Sequence, residues 1–198
     1  MYLDQDINKF IPACYILLNN KTVWIYNESI EYIKSKICTN NKGNLNIKTV
    51  ICDFEQGLIN AIKNNFIDVT IVGCYFHHKK CLIRKAQSLG LTKDKLIQDT
   101  KELINKEIGL IPFKNFENII NLNNYLDGLR KKYENHSELI EYYKPQWTVF
   151  YENNMLKFNR IPKKVRIISN LENYNGQLLK ITHKKKILSW PEYIPIYL

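Results

Sequence analysis

Along residues 1–90, short apolar runs are followed by apolar residues at helical spacing. This order is typical of proteins in which strands and helices follow one another. An apolar run at 13–18, closed by two asparagines, predicts a buried strand that ends in a turn. After this run, four apolar residues recur at helical spacing: Tyr26, Ile30, Ile33 and Ile37. They predict an amphipathic helix that stops near residues 40–43, where asparagines and Gly43 break the pattern.

Two further pairs of a strand and a helix follow. Apolar runs at 47–52 and 69–72 predict the strands. Apolar residues at helical spacing mark a helix after each run: Leu58, Ile59 and Ile62, then Phe76, Ile83 and Ala86. The second helix should end at Gly90. Strands that alternate with helices in this way predict a parallel sheet built from βαβ units.

From Leu91 onwards the strand-like runs stop and the pattern indicates helices only. The predicted helices cover about 93–106, 116–134 and 138–151, and Pro112 separates the first two. We therefore predict three regions in the chain: an α/β core part at 1–90, an all-helical insertion at 91–160 and a final helix region at 161–198.

The composition is that of a globular protein. The chain has 198 residues, 45% of them hydrophobic, which is enough for a sizeable core. No run approaches the roughly 20 apolar residues of a membrane span, and the acidic start, with Asp4 and Asp6, does not resemble a secretory signal. Five cysteines without the dense spacing of a secreted scaffold favour reduced thiols. We expect no membrane partner, and a location in the nucleus or otherwise the cytosol.

The formal net charge of +10 favours a polyanionic partner such as nucleic acid. The cationic residues form local clusters: Lys79, Lys80, Arg84 and Lys85; Arg130, Lys131 and Lys132; Lys163, Lys164 and Arg166; and Lys184, Lys185 and Lys186. The alternative explanation is A/T-rich coding DNA, since scattered lysines also make an ordinary solvated surface.

Asp53 follows an apolar run and precedes a predicted helix. Its carboxylate should therefore lie at the carboxyl end of a parallel strand, where open α/β sheets bind ligands and where a metal ligand is expected. The alternative role is a helix N-cap, because Asp53 and Gln56 have the spacing of a capping box. Glu55 is the nearest other carboxylate, and we expect it to be solvated in the first helical turn, where it favours the helix dipole.

Four potential zinc ligands occur at helical spacing: Cys74, His77, His78 and Cys81. Four ligands from one short helix would close a zinc tetrahedron poorly, because structural zinc sites usually draw on two separate elements. A buried cysteine and a hydrogen-bonded histidine are therefore favoured over a zinc site.

The run at 50–55, which ends in Asp53-Phe54-Glu55, is followed by Gly73-Cys74-Tyr75-Phe76-His77. This pair of segments resembles the transposase domain of Mutator-like elements, the MULE family, in which a D-F-E strand end precedes a G-C-x-F-H segment. The resemblance continues at residues of a Y…W…R…N…E…N region: Tyr143, Trp147, Arg166, Asn170, Glu172 and Asn175. It implies an RNase H-like core, truncated here at its first strand, with an all-helical insertion.

The resemblance also implies a site for DNA cleavage and strand transfer. Asp53 and Glu172 would be its catalytic acids and the ligands of Mg²⁺ or Mn²⁺, because hard divalent ions prefer carboxylate oxygens. Its auxiliary residues would be Cys74, His77 and Asn170. For Glu172 a local alternative stays open, since Ser169 and Glu172 also have the spacing of a capping box.

By the same resemblance the partner is DNA, bound by homo-oligomers at transposon ends. The candidate DNA-binding residues are Lys163, Lys164, Arg166, Lys79, Lys80 and Arg84. Residues 162–166 are also similar to a short nuclear import signal, which supports a nuclear location.

The chain departs from the family in its first acid. Members carry three acids, the first of them in a D-G-T-F-like strand, and no such segment precedes the run at 13–18. Asp4 and Asp6 lie there but follow no apolar run, so we expect them to be surface acids. We therefore expect a fragment or degenerate copy of a MULE-type DDE/D transposase catalytic domain, which does not cleave DNA in this form. The alternative is a non-catalytic DNA-binding or protein-interaction module derived from a transposase.

Overall fold

The computed structural model describes residues 2–4, 9–11, 14, 16–41, 47–93 and 96–158. The chain forms two compact units, one of Met1–Tyr15 with Ile168–Leu198 and the other of Ile16–Ile167. The described elements of the first unit form an antiparallel strand pair, β1 (Tyr2–Asp4) and β2 (Lys9–Ile11). All other described elements belong to the second unit.

The apolar run at 13–18 is not a strand in its described part. Residues 16–18 are irregular and exposed, with Leu17 at 51% exposure, so the prediction of a buried strand there is wrong. The chain instead leads into a helix start, where Asn20 Oδ1 accepts hydrogen bonds from the backbone N–H and the hydroxyl of Thr22. A run of apolar residues cannot show whether a neighbouring strand is available to pair with it.

Alternating helices and strands follow, in the predicted order. They are α1 (Val23–Asn41), β3 (Thr49–Cys52), α2 (Gln56–Asn65), β4 (Thr70–Gly73) and α3 (Tyr75–Ser88). β3 and β4 pair in parallel, with Val50 opposite Ile71, which confirms the parallel pairing of these two runs. This sheet is two-stranded in the described part of the unit.

α1 and α2 pack against each other and fix the start of α2. α2 buries Ile59, Ala61 and Ile62. A Cβ atom on Gly57 would lie 2.9 Å from the carbonyl oxygen of Lys21. Glycine at this position therefore allows the segment before α1 to approach the first turn of α2 closely.

Residues 96–158 contain helices and turns but no strand. The α-helices are α4 (Leu96–Glu102), α5 (Ile119–Lys132) and α6 (Ser137–Glu152). A π-helical turn (Leu103–Glu107) and a 3₁₀ segment (Ile108–Phe113) lie between α4 and α5, and a 3₁₀ turn (Glu134–His136) lies between α5 and α6. The three predicted helices are confirmed, although the first ends early because the chain changes to π and 3₁₀ geometry. Pro112 lies within the 3₁₀ segment.

The buried side of α3 differs from the predicted one. Ala86 is buried, but Phe76 and Ile83 are 38% and 39% exposed. The helix buries His78 and Leu82 with Ala86 instead. Helix α6 packs on this side, so a partner distant in sequence decides which residues of α3 become core.

α6 closes a core rich in aromatic rings and returns the chain to the sheet. Tyr143, Trp147 and Tyr151 are buried. Just after α6, the carbonyl of Met155 accepts a hydrogen bond of 2.9 Å from the N–H of Gly73 at the end of β4. No helix in the described part of the chain combines the length and the apolar character needed to cross a bilayer.

Candidate functional site

The carboxyl ends of β3 and β4 lie side by side. Cys52 is opposite Gly73, and the N–H of Cys74 donates to the carbonyl of Cys52 at 2.8 Å. Asp53 and Cys74 therefore leave the same sheet edge on neighbouring strands, so the structure brings these two predicted site residues together. α2 and α3 begin at this edge, at Gln56 and Tyr75.

Asp53 is half-buried at the end of β3, and its Oδ1 accepts a hydrogen bond of 3.2 Å from the N–H of Glu55. Glu55, not Asp53, is the N-cap residue of α2. Gln56 begins the helix, and its side-chain amide donates to Asn60 Oδ1 at 2.7 Å. The capping-box alternative for Asp53 is therefore wrong. The Asp53 carboxylate closes a short local turn, and the residue stays partly accessible.

Glu55 is not solvated as expected, since only 22% of its side chain is exposed. Its Oε1 accepts a hydrogen bond from the Tyr26 hydroxyl at 2.8 Å, and its Oε2 lies 3.0 Å from Lys21 Nζ. Burial raises the pKa of Tyr26 to about 12, and the hydrogen bond to Glu55 and the charges of Glu55 and Asp53 act in the same direction. The phenol therefore remains a donor near neutral pH. These contacts join α1 to α2, and no local sequence pattern indicates them.

Phe54 connects the two family-like segments. A Cβ atom on Gly73 would lie 2.2 Å and 2.3 Å from Cε1 and Cζ of the Phe54 ring, so only glycine leaves room for the ring. The ring also makes edge-to-face contacts with Trp147 and Phe150, each with centroids 4.9 Å apart. This packing gives a physical reason why the D-F-E and G-C segments occur together. Sequence reasoning missed Phe54, whose only signal is an apolar residue between two acids.

The four potential zinc ligands differ in how deeply they are buried. Cys74 is the buried N-cap residue, and His78 is buried beside Trp147, with centroids 4.7 Å apart. His77 and Cys81 are only half-buried. The favoured buried cysteine is found at Cys74. The hydrogen-bonded histidine is not found at His78, because neither ring nitrogen has a hydrogen-bond partner within the described residues.

Burial also controls protonation around this edge. It raises the pKa of Cys52 to about 12, and the charges of Asp53 and Cys74 add to the rise. It lowers the pKa of His78 to about 3. The Cys52 thiol and the His78 imidazole are therefore both neutral at physiological pH. Among the residues that the structure describes, no group of three or more His, Cys, Asp or Glu side chains is placed to hold a metal ion.

The outer side of α3 combines cations with an exposed ring. It carries the three described candidate DNA-binding residues, Lys79, Lys80 and Arg84. Lys80 Nζ lies 5.4 Å from the centroid of the exposed Phe76 ring. Positive charge next to an accessible aromatic ring is the combination by which proteins hold phosphates and bases of nucleic acids.

The remaining predicted site residues lie outside the described residues: Glu172, Asn170, Lys163, Lys164 and Arg166. The convergence of Asp53 and Glu172 therefore stays a prediction. Asp4 is the last residue of β1, and Asp6 lies outside the described residues.

Comparison with known proteins gives one family. Residues 3–81 match the MULE transposase domain, and this match includes Asp53 and the segment 73–77. No curated protein and no solved structure matches the chain. MULE transposase domains are of the DDE type, which generally depends on metal ions and acts on DNA. The resemblance carried by the Asp53 and Cys74 segments is thus confirmed, because both segments lie within the residues that match the MULE transposase domain.

Proposed function

We propose that this chain carries part of the catalytic domain of a DDE/D transposase, built on an RNase H-like core, with Asp53 as a ligand of Mg²⁺ or Mn²⁺. The observation that supports this proposal most strongly is the position of Asp53. Its partly accessible carboxylate stands at the carboxyl end of β3, beside Cys74, within the segment that matches the family. Glu172 is the proposed second ligand, with Cys74, His77 and Asn170 as auxiliary residues.

The described residues have defined roles in this proposal. The N–H of Glu55 orients the Asp53 carboxylate. The first turn of α3 contains no acidic residue and its N-cap, Cys74, makes no side-chain cap hydrogen bond, so the N–H groups of this turn are suited to a DNA phosphate. Bound divalent ions supply the Lewis acidity that phosphodiester cleavage and strand transfer require.

Calorimetric titration with Mn²⁺ tests the metal assignment. Asp53→Asn and Glu172→Gln should each weaken binding by at least about tenfold, since even the loss of a residue that only supports a ligand costs this much. Asp68→Asn, at an exposed acid in the turn after α2, is the matched control and should bind as the unaltered chain does. Equal affinity of Asp53→Asn and the control would contradict the assignment.

A second candidate function is a non-catalytic DNA-binding or protein-interaction module, and the cationic side of α3 with exposed Phe76 favours it. In this case the chain binds DNA but Mn²⁺ affinity does not depend on Asp53. In both cases the proposed DNA contacts are Lys79, Lys80, Arg84, Lys163, Lys164 and Arg166. A nuclear location and homo-oligomers at transposon ends belong to the same proposal.

A further inference from the structure

We propose that α6 is a positioning element for Asp53 and that it acts through the contact of Trp147 and Phe150 with Phe54. This inference rests on the proposed function of Asp53 and extends it to residues outside the family match. Phe54 directly follows Asp53 in the chain. Trp147 and Phe150 are positioning residues in this proposal, because they act on the carboxylate through Phe54.

Three neighbours surround the Phe54 ring. Trp147 meets it at an interplanar angle of 89° and Phe150 at 63°, both with centroids 4.9 Å away. Gly73 lies against the ring edge, where not even a Cβ atom would fit. The ring therefore cannot shift towards β4 or towards α6, and its backbone is held in place with it.

The position of Phe54 fixes the Asp53 carboxylate through a short path. Asp53 and Glu55 flank Phe54, and the N–H of Glu55 donates to Asp53 Oδ1 at 3.2 Å. If the ring left its pocket, the backbone between these two residues would move and this hydrogen bond would break. The direction of the carboxylate then would not be set.

α6 is itself fixed to the same sheet edge. Trp147 packs edge-to-face on His78 of α3, at an interplanar angle of 88°. The Met155 carbonyl, just beyond α6, accepts the N–H of Gly73. The aromatic clamp, formed by Trp147 and Phe150 around Phe54, is thus anchored to β4 and to α3.

Hydrogen exchange in the absence of metal tests the clamp directly. Trp147→Phe and Phe54→Leu should each speed exchange of the Glu55 amide by about tenfold, the change in opening equilibrium that loss of one good ring pair can cause. The Cys74 amide, bonded to the Cys52 carbonyl, reports whether the sheet itself stays intact. The control is Leu129→Ala on α5, a buried residue of the same hydrophobic cluster, compared at equal thermal stability.

Mn²⁺ affinity supplies the second measurement. It should fall by about tenfold in Trp147→Phe and stay unchanged in Leu129→Ala at equal stability. If Trp147→Phe and Leu129→Ala have the same Glu55 exchange rate, the clamp proposal is overturned and the contact is ordinary core packing. If the unaltered chain binds no Mn²⁺ but Glu55 exchange is faster in Trp147→Phe and Phe54→Leu and not in Leu129→Ala, the proposed metal site fails while the clamp stands.

Discussion

At the scale of single residues, one absent Cβ atom shapes the candidate site. Gly73 and Phe54 belong to separate segments, and the Phe54 ring occupies the space that the absence of a side chain at Gly73 leaves free. The Phe54 ring cannot move away readily, because it also packs against Trp147 and Phe150. Gly73 is therefore required for close packing at the end of a strand, where glycine is otherwise unfavourable.

Gly73→Ala should lower the free energy of unfolding by about 1–3 kcal/mol, the cost of forcing an extra methyl group into a packed core. Gly128→Ala is the matched control, because nothing lies within 4 Å of a Cβ atom at that position in α5. It should stabilise the protein by about 0.5–1 kcal/mol, since alanine favours a helix over glycine. Urea unfolding measures both. Equal stability of Gly73→Ala and the unaltered chain would show that the Phe54 ring moves aside freely.

His78 should make the protein sensitive to acid. Burial lowers the pKa of its imidazole from 6.5 to about 3, so the unfolded chain binds the proton more readily than the folded one. The contribution of neutral His78 to the free energy of unfolding is therefore present above pH 6.5, and it is lost as the pH falls from there towards 3. Between pH 6.5 and 4.5 this loss should amount to roughly 2–3 kcal/mol.

Urea unfolding of His78→Leu at pH 7 and pH 4.5 tests the role of His78. The variant should lose less stability on acidification than the unaltered chain, because leucine takes up no proton. The same pH dependence in both proteins would show that another group is responsible.

Single residues also show how far the sequence could predict the site. The place of Asp53 could be predicted, because an apolar run followed by an acid and a helix has few structural solutions. The N-cap residue of α2 could not be predicted, because Asp53 and Glu55 both fit the local pattern. The packing of α1 against α2 decides between them. The role of Phe54 depends on Trp147, which no local pattern connects with it.

At the scale of elements, helix α3 shows which properties are local and which are not. Its existence and its approximate ends follow from spacing and from Gly90. Its buried side does not, because spacing predicts Phe76 and Ile83 in the core, whereas packing against α6 buries the side that carries His78. The run at 13–18 fails for a similar reason, since apolar character predicts burial only where a partner exists.

The outer side of α3 should contribute to DNA binding. Replacing Lys79, Lys80 and Arg84 together with Gln should make the slope of log K against log salt shallower by about 2–3, because each phosphate contact contributes about 0.9. The control replaces three exposed lysines of other elements with Gln and has the same net charge: Lys63, Lys101 and Lys106. Fluorescence anisotropy on a DNA duplex measures both slopes. Equal slopes for the two triple variants would mean that DNA binding depends on the total charge of the protein and not on the outer side of α3.

At the scale of the whole molecule, the number of acids limits the expected chemistry. Asp53 and Glu172 are the two proposed metal ligands, and a pair of ions for in-line displacement normally needs three carboxylates. The 198-residue chain should therefore not nick supercoiled plasmid with Mg²⁺ or Mn²⁺. A version extended by a D-G-T-F-like strand should nick it and lose this activity in Asp53→Ala or Glu172→Ala. Nicking by the 198-residue chain that is lost in Asp4→Ala or Asp6→Ala would contradict this expectation.

The large-scale organisation could be predicted only in part. The change from alternating elements to helices near Leu91 could be predicted because strands and helices have different periods. The π and 3₁₀ segments after α4 could not, because their hydrogen bonding depends on how the neighbouring helices pack. The contact of α6 with the Asp53 turn could not either, since it joins residues distant in the chain.

The aromatic clamp has a consequence for the order in which the protein assembles. Trp147 follows Phe54 by 93 residues, so the ribosome completes β3, β4 and α3 well before the clamp can close. Contacts of such long range also form late in folding, because the entropy of closing the loop must be offset first. Until then the Phe54 ring lacks its partners and is open to association with other chains. The segment that matches the family can therefore reach its final form only after the helices outside the match have been made.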